Sequence, residues 1–188
     1  MVKNGEIRKG AKLLCLLPLA CAIGSNEILQ NEKKRILENN TLDAVFTLPA
    51  DMFHPGASAN ACCMVFNVGT PHFTKITDSE GKEVYVPRKE TVFGYFKDDG
   101  FIKKKNLGRI SKIDENGKSL WHDIEQKWLD LYYGNKTDKY MAIKRKVTGE
   151  DEWLAEAYIE TDFSKLSETD FEKSVREFFA FSVKEGKM

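Results

Sequence analysis

Residues 12–49 read KLLCLLPLACAIGSNEILQNEKKRILENNTLDAVFTLP. The run KLLCLL (12–17) is almost continuously apolar, the pattern of a strand buried on both faces. Pro18 ends it, since proline has no amide hydrogen for a sheet ladder. Ser25 is placed to cap a helix over 26–39, and the pair Asn39-Asn40 stops that helix. LDAVFTL (42–48) repeats the buried-strand pattern as far as Pro49. Working outward, ADMFHPGASA (50–59) reads as a loop and ACCMVFNV (61–68) as a third strand. Strand, helix, strand, loop, strand predicts an α/β sheet.

After Gly69 the texture changes. HFTKIT and KEVYVP flank Asp78-Ser79-Glu80-Gly81, a hairpin signal, and TVFGYFK and FIKKK flank Asp98-Asp99-Gly100, a second one. Residues 119–133 place Trp121, Ile124, Trp128 and Leu131/Tyr132 at helical spacing, which predicts a packed amphipathic helix rather than an aromatic ligand box. Thr148 and Asp151 have capping-box spacing ahead of DEWLAEAYI (151–159). Ser167 and Asp170 form another, with Leu166 and Phe171 placed as a hydrophobic staple. Phe171, Val175, Phe178, Phe179 and Ser182 then share one helix face, expected to pack on the rest of the chain or on a partner. The expected organisation is an α/β core over 1–70, a hairpin-rich basic segment over 71–118 and a helical, acidic segment over 119–188.

The 188 residues carry 29 basic and 29 acidic side chains, a formal net charge of zero. That neutrality is a cancellation. Residues 1–149 hold 24 Lys/Arg against 18 Asp/Glu, a surplus of six, and residues 150–188 hold 5 against 11, a deficit of six. Such asymmetry points to nucleic acid on the first part. Cys15, Cys21, Cys62 and Cys63 sit in apolar runs, and His54, His72 and His122 are scattered. Both sets read as structural, with buried thiols in a reducing cytoplasm and no metal site. Residues 1–22 have the outline of a signal peptide, with basic residues, an apolar run and Ala20-Cys21-Ala22, but Glu6 and Pro18 argue against it. No apolar run approaches the length of a membrane span.

No glycine-rich phosphate or dinucleotide loop is present, and no G-x-S-x-G or H-E-x-x-H. The segments GAKLLCLLPLACAIGSNE and KKRILENNTLDAVFTLPADMFHPGASANACCMVFNVG carry more. They resemble the second half of the adenine-N6 DNA methyltransferase domain found in modification subunits of type I restriction systems and in fused type II relatives. The matching features are a strand running from Gly10 to a hydrophobic-Pro step at Pro18, and a helix ending Ile36-Leu37-Glu38-Asn39. An L-x-A-V-x-x-L-P-x-x-[LMI]-F block follows from Leu42 to Phe53, then a further strand. TVFGYFKDDGFIKKKNLGRI and DEWLAEAYIETDFSKLSETDFEKSVREF also look like segments that follow this methylase core.

The resemblance implies the last strands of a Rossmann-like sheet of the S-adenosylmethionine-dependent kind, with a β-hairpin insertion and a carboxyl-terminal helical appendage. It implies that Phe53 matches an aromatic that stacks on an adenine flipped out of the duplex, replacing the lost base stacking. The family's methyl-donor loop and its [ND]-P-P-[FY] motif have no counterpart here, and no Pro-Pro occurs in the chain. The complete enzyme would use S-adenosylmethionine, while this chain alone is expected neither to bind it nor to methylate, and supplies no catalytic, cofactor-binding or metal-binding residue. Lys103, Lys104, Lys105, Arg109 and Lys112 place five positive charges within ten residues and are the candidates for DNA-backbone contact. The reading is therefore a carboxyl-terminal methylase portion in the cytoplasm that completes the fold and contacts DNA. Its expected partners are an amino-terminal methylase half, specificity or restriction subunits, and a second copy through an orphaned sheet edge. The rival reading is a non-catalytic DNA-binding or scaffolding subunit that docks restriction–modification partners.

Overall fold

The computed structural model describes residues 7–56, 59–164 and 166–186. Asn26, one residue beyond Ser25, caps the first long helix: its side-chain oxygen accepts from the Leu29 amide at 2.9 Å. After a short helical turn α1 (Ala20–Ile23), this helix, α2 (Glu27–Asn39), passes straight into β2 (Asn40–Thr47). β3 (Ala61–Val68) lies antiparallel to both β2 and β1 (Lys12–Pro18), so β1 and β2 run parallel with β3 between them. β2 also pairs in parallel with β6 (Thr91–Tyr95), and β6 pairs antiparallel with β9 (Ala142–Arg145). The sheet order is β1-β3-β2-β6-β9, and strands from all three sequence segments share it.

β1 forms as expected but is not buried on both faces. It is an edge strand, with Leu14 65% and Leu16 60% exposed. Its composition suits a sheet interior, yet among the described residues only β3 pairs with it.

One face of the sheet carries Leu42, Val45, Met64, Phe66 and Phe93, packed against Leu37 of α2 and against Val147, Trp153, Leu154 and Ala155. The helix expected over 151–159 is absent. Thr148 donates its amide to the Asp151 carboxylate at 2.6 Å, one half of a capping box, and its hydroxyl donates to the same oxygen at 2.7 Å. The chain then runs on as a strap, with only a 3-10 turn at Ala155–Ala157. Three consecutive buried residues, Trp153, Leu154 and Ala155, explain this, because an α-helix on a surface buries one stripe and not a continuous run. Lys33 pins the strap: its ammonium donates to the carbonyls of Ala22 at 2.7 Å and Asp151 at 3.0 Å and lies 5.0 Å from the Trp153 ring. Burial pushes this lysine below its ordinary range.

The other face carries Ala44, Val65 and Val92, with Phe46 and Tyr132 packed beside them. α3 (Trp121–Tyr133) covers it, burying Trp128 and Leu131, as the helical spacing predicts. Gly94 on β6 makes this approach possible, since a Cβ there would stand 2.6 Å from the Phe46 ring and 2.8 Å from Trp128.

β4 (Phe73–Thr77) and β5 (Glu83–Pro87) form the first expected hairpin. The second is corrected: TVFGYFK and FIKKK do not pair. Residues 91–94 of β6 are all buried, which commits that strand to the central sheet. FIKK becomes β7 (Phe101–Lys104) and pairs with β8 (Gly108–Ser111) across a turn with Asn106 and Gly108 at φ 63° and 74°.

At the carboxyl end, α4 (Glu168–Lys184) begins with both bonds of the Ser167/Asp170 capping box. Leu166 and Phe171, the expected staple, are exposed, and so are Val175, Phe178 and Phe179. The apolar face is real: its phenylalanines and Val175 stay exposed, while Ser182, the last residue of the expected face, is buried. No helix among the described residues is long and apolar enough to cross a membrane. Residues 1–6 of the signal-like outline lie outside the described residues, and much of its apolar run is β1.

His72 is fully buried beside the strap, donating from Nε2 to the Val147 carbonyl at 2.9 Å, with no partner for Nδ1 among the described residues. Burial lowers its pKa, so the folded state favours the neutral ring. An unfolded histidine titrates near pH ~6.5. Stability contributed by neutral His72 is therefore full above that pH and is lost as pH falls toward the depressed folded value. Urea unfolding at pH 7.5 and 5.5 should show a lower midpoint at the acid pH, and His72→Gln should shrink that difference. An undiminished difference in the variant would refute the assignment.

Candidate functional site

β1, β2 and β6 run parallel, and their carboxyl ends open on one crevice of about 460 Å³ lined by Leu19, Thr47, Pro49, Asp51, Tyr95 and Glu156. Ligands of open α/β sheets bind at such ends. The Thr47 hydroxyl donates to Glu156 at 2.7 Å, tying β2 to the strap. The Lys97 ammonium lies 5.7 Å from the Tyr95 ring. Sequence spacing did not single out Thr47, Tyr95, Lys97 or Glu156, because sheet pairing alone brings them together.

The loop after β2 borders this crevice. Met52 and His54 donate their amides to the carbonyls of Pro49 and Asp51, each at 3.0 Å, closing two tight turns around Phe53. Phe53 is half-buried, so part of its ring remains accessible. Residues 57–58 of the loop lie outside the described residues.

The basic run divides. Lys103 and Lys104 on β7 and Lys105 in the following turn are exposed, and no ion pair holds them among the described residues. Arg109 on β8 is different, because buried and half-buried carboxylates hold it. Its side chain is 12% exposed, and its guanidinium grips the buried Asp99 carboxylate in a two-point fork at 2.8 and 2.7 Å. Asp51 adds a contact at 3.3 Å, and the Phe101 ring lies 5.5 Å away. The hydrogen bonds it donates to Asp99 hold Arg109 above its ordinary pKa range. Swinging Arg109 out to a phosphate would strand Asp99 in the interior, a cost of about 3–5 kcal/mol. A solvent-exposed ion pair returns roughly 0–1 kcal/mol. The internal partner wins. Lys112 is likewise paired with Asp98 at 2.7 Å, and that contact lowers the Asp98 pKa.

A Cβ at Gly24 would meet the Leu29 side chain, and one at Gly149 would meet Lys34, side chain and backbone both. The Cys62 thiol donates toward the Leu17 carbonyl and is pushed up to about 12 by burial, which leaves it protonated and unreactive.

A second polar cluster lies at the opposite end of β2. Asp43 occupies the bulge where the β2–β3 register shifts, and it is buried. Lys12, Lys89, Asn67 and the Tyr132 hydroxyl all reach its carboxylate. Burial and the neighbouring Lys12 push Lys89 down. The cluster joins β1, β2, β3 and α3 through one side chain, which is a structural task.

The chain is related to the methyltransferases of restriction–modification systems. It is 31% identical over 173 residues to the type II restriction enzyme and methyltransferase RM.BcgI of Heyndrickxia coagulans, a match that takes in 92% of this chain and 24% of that protein. The chain thus spans about a quarter of the length of this curated relative. Similar solved structures include the type I restriction–modification methyltransferase subunit from Streptococcus thermophilus, at 17% identity and TM-score 0.49 over 79% of this chain and 26% of that one. Another, from a study of type I restriction–modification complex assembly, has 13% identity and TM-score 0.49 over 97% of this chain and 36% of that one. No family model matches the chain.

Asp43→Ala should destabilise the chain by about 1.5–3 kcal/mol, the range for losing charged hydrogen bonds, because Lys12 and Lys89 can turn to water. Chemical denaturation measures it. A loss below about 0.5 kcal/mol, the level of an ordinary surface change, would remove Asp43 as the joint between these elements.

Proposed function

We propose that this chain is the carboxyl-terminal part of an adenine-N6 DNA methylase of a restriction–modification system. It completes the Rossmann-like methylase sheet, contributes to DNA contact and does not methylate by itself. The observation that carries the reading is β1. Its KLLCLL run has the composition of a strand inside a doubly wound sheet, yet it stands at an edge with Leu13, Leu14 and Leu16 exposed. A further strand beside it, and helices over both its faces, would turn that edge into the interior its composition suits. The relative, four times longer, has the length to supply them.

Within this reading Phe53, in the loop after β2, offers a face to an extruded adenine, and Lys103, Lys104 and Lys105 meet the phosphate backbone. The residues present do not fit S-adenosylmethionine. The turn after β1 is Pro18-Leu19-Ala20-Cys21, with no glycine-rich bend. The cofactor belongs to the complete enzyme, and no step is assigned to it in this chain.

A rival reading, a scaffolding subunit that binds DNA and docks restriction–modification partners, is favoured by the unpacked face of α4, where Phe171, Val175, Phe178 and Phe179 are exposed. Methyl transfer separates the two. The chain mixed with an amino-terminal methylase fragment carrying the glycine-rich loop and the [ND]-P-P-[FY] motif should label DNA adenine, and neither piece alone should. Calorimetry on this chain alone should register no tight S-adenosylmethionine binding, and a clear micromolar signal would defeat the proposal.

DNA contact has its own test. Replacing Lys103, Lys104 and Lys105 together by Ala should weaken duplex retention and reduce the log–log salt slope by about 2 to 3, roughly one per lost phosphate contact. An unchanged slope would make the hairpin tip a solvated arm.

A further inference from the structure

Three features of the β7–β8 hairpin lock it to the body of the molecule. Gly100, at φ 75°, lies so close to the start of α3 that a Cβ would stand 3.2 Å from the Trp121 amide nitrogen. The Phe101 ring lies 6.3 Å from the Trp121 ring, and Phe96 joins Trp121 to Trp128 with centroids 6.5 and 4.9 Å away. The Lys112 amide donates to the Gly100 carbonyl at 2.7 Å and closes the hairpin base. The hairpin therefore starts from α3, which itself packs on the sheet.

The loop over residues 49–56 has no such support from its own sequence. Its ladder bonds end at Leu48, and two local turns hold its backbone. What reaches it from outside is Arg109. One guanidinium nitrogen meets Asp51 at 3.3 Å, the other lies 3.8 Å from the Met52 sulfur, and both are fixed by the fork on Asp99. The hairpin turn makes a second contact, where a Cβ on Gly108 would stand 3.7 Å from the Pro55 ring.

We infer that Arg109 is a positioning residue, holding the Phe53 loop against the β7–β8 hairpin so that Phe53 and Lys103, Lys104 and Lys105 form one rigid body. The buried Asp99 orients the guanidinium, and one of the two nitrogens that meet it also reaches Asp51. Arginine suits this task where lysine does not, since a planar fork can satisfy two carboxylates in fixed directions and a single ammonium cannot. The clamp rests on the proposed function only for what the rigid body meets. Its mechanical content stands on the contacts themselves.

Hydrogen exchange on the whole chain, without DNA, tests the clamp. In Arg109→Lys the amides of Met52 and His54 should exchange at least roughly fivefold faster, the factor for one net hydrogen bond. The β2 and β3 amides should keep their wild-type rates. Asp51→Asn, a milder change at a half-exposed carboxylate, should speed the same two amides by a similar factor and cover the case in which the arginine variant fails to fold. The double variant should exchange no faster than Arg109→Lys alone, because the arginine change already removes the Asp51 contact. Unchanged loop exchange in Asp51→Asn, or factors that multiply in the double variant, would overturn the inference. A DNA titration of the same proteins keeps the two readings apart: loosened loops with no salt-dependent DNA retention in the wild type would remove the DNA role and leave the clamp.

Discussion

Burial of β2 on both faces is the constraint on which the other elements depend. Leu42 and Val45 look toward α2 and the strap, while Ala44 and Phe46 look toward α3. A strand with apolar groups on both sides leaves water only if each face is covered and each edge is paired. β3 and β6 supply the edges. Leu37, Trp153 and Leu154 close one face, and Trp128 and Leu131 belong to the helix that closes the other. Most of the unusual features of the molecule follow from this demand. Lys33 gives its charge to backbone carbonyls to hold the strap down, His72 stays neutral beside it, and Gly94 has no side chain so that Trp128 can come close.

The same principle makes β1 the exception that bears on function. Its composition matches β2, but its surroundings do not, and the exposed leucines mark a place where burial is unfinished. α4 repeats the theme at the other end of the chain: a well-capped helix displays phenylalanines that no described part of the fold covers. These two surfaces lie on opposite sides of the charge division, β1 on the basic portion and α4 on the acidic one. Each side of the charge division thus carries one exposed apolar surface.

Around the crevice, carboxylates set the behaviour of the cations. Arg109 and Lys112 belong to the same basic run as Lys103, Lys104 and Lys105, but Asp99, Asp51 and Asp98 claim them. Of the five charges in the run, those of Lys103, Lys104 and Lys105 have no ion pair among the described residues. At the far end of β2, Asp43 claims two more lysines. Positive charge in this chain is thus divided between cations paired with carboxylates of the fold and cations that face outward.

Local pattern was enough to place much of the fold. The apolar runs of β2 and β3, the stop at Asn39-Asn40, the hairpin around Asp78 to Gly81, the helix of Trp121 to Tyr133 and the Ser167/Asp170 capping box are all encoded within a few residues of where they act. The resemblance to restriction–modification methyltransferases was legible in the same way, from the blocks ending at Pro18 and Phe53. Other features were not. TVFGY reads equally well as half of a hairpin or as a central strand, and only pairing with β2, some fifty residues earlier, made it the latter. Asp151-Glu152-Trp153-Leu154 has helical propensity and a capping signal, but burial of successive side chains against the sheet drew it out into a strap. Arg109 looks like its lysine neighbours until Asp99 and Asp51 are brought beside it. Short-range bonding and periodicity are written in sequence order, so the sequence by itself determined the elements. Partner choice between distant segments, and the burial that turns a charge inward, depend on three-dimensional proximity, and only the tertiary structure decided them.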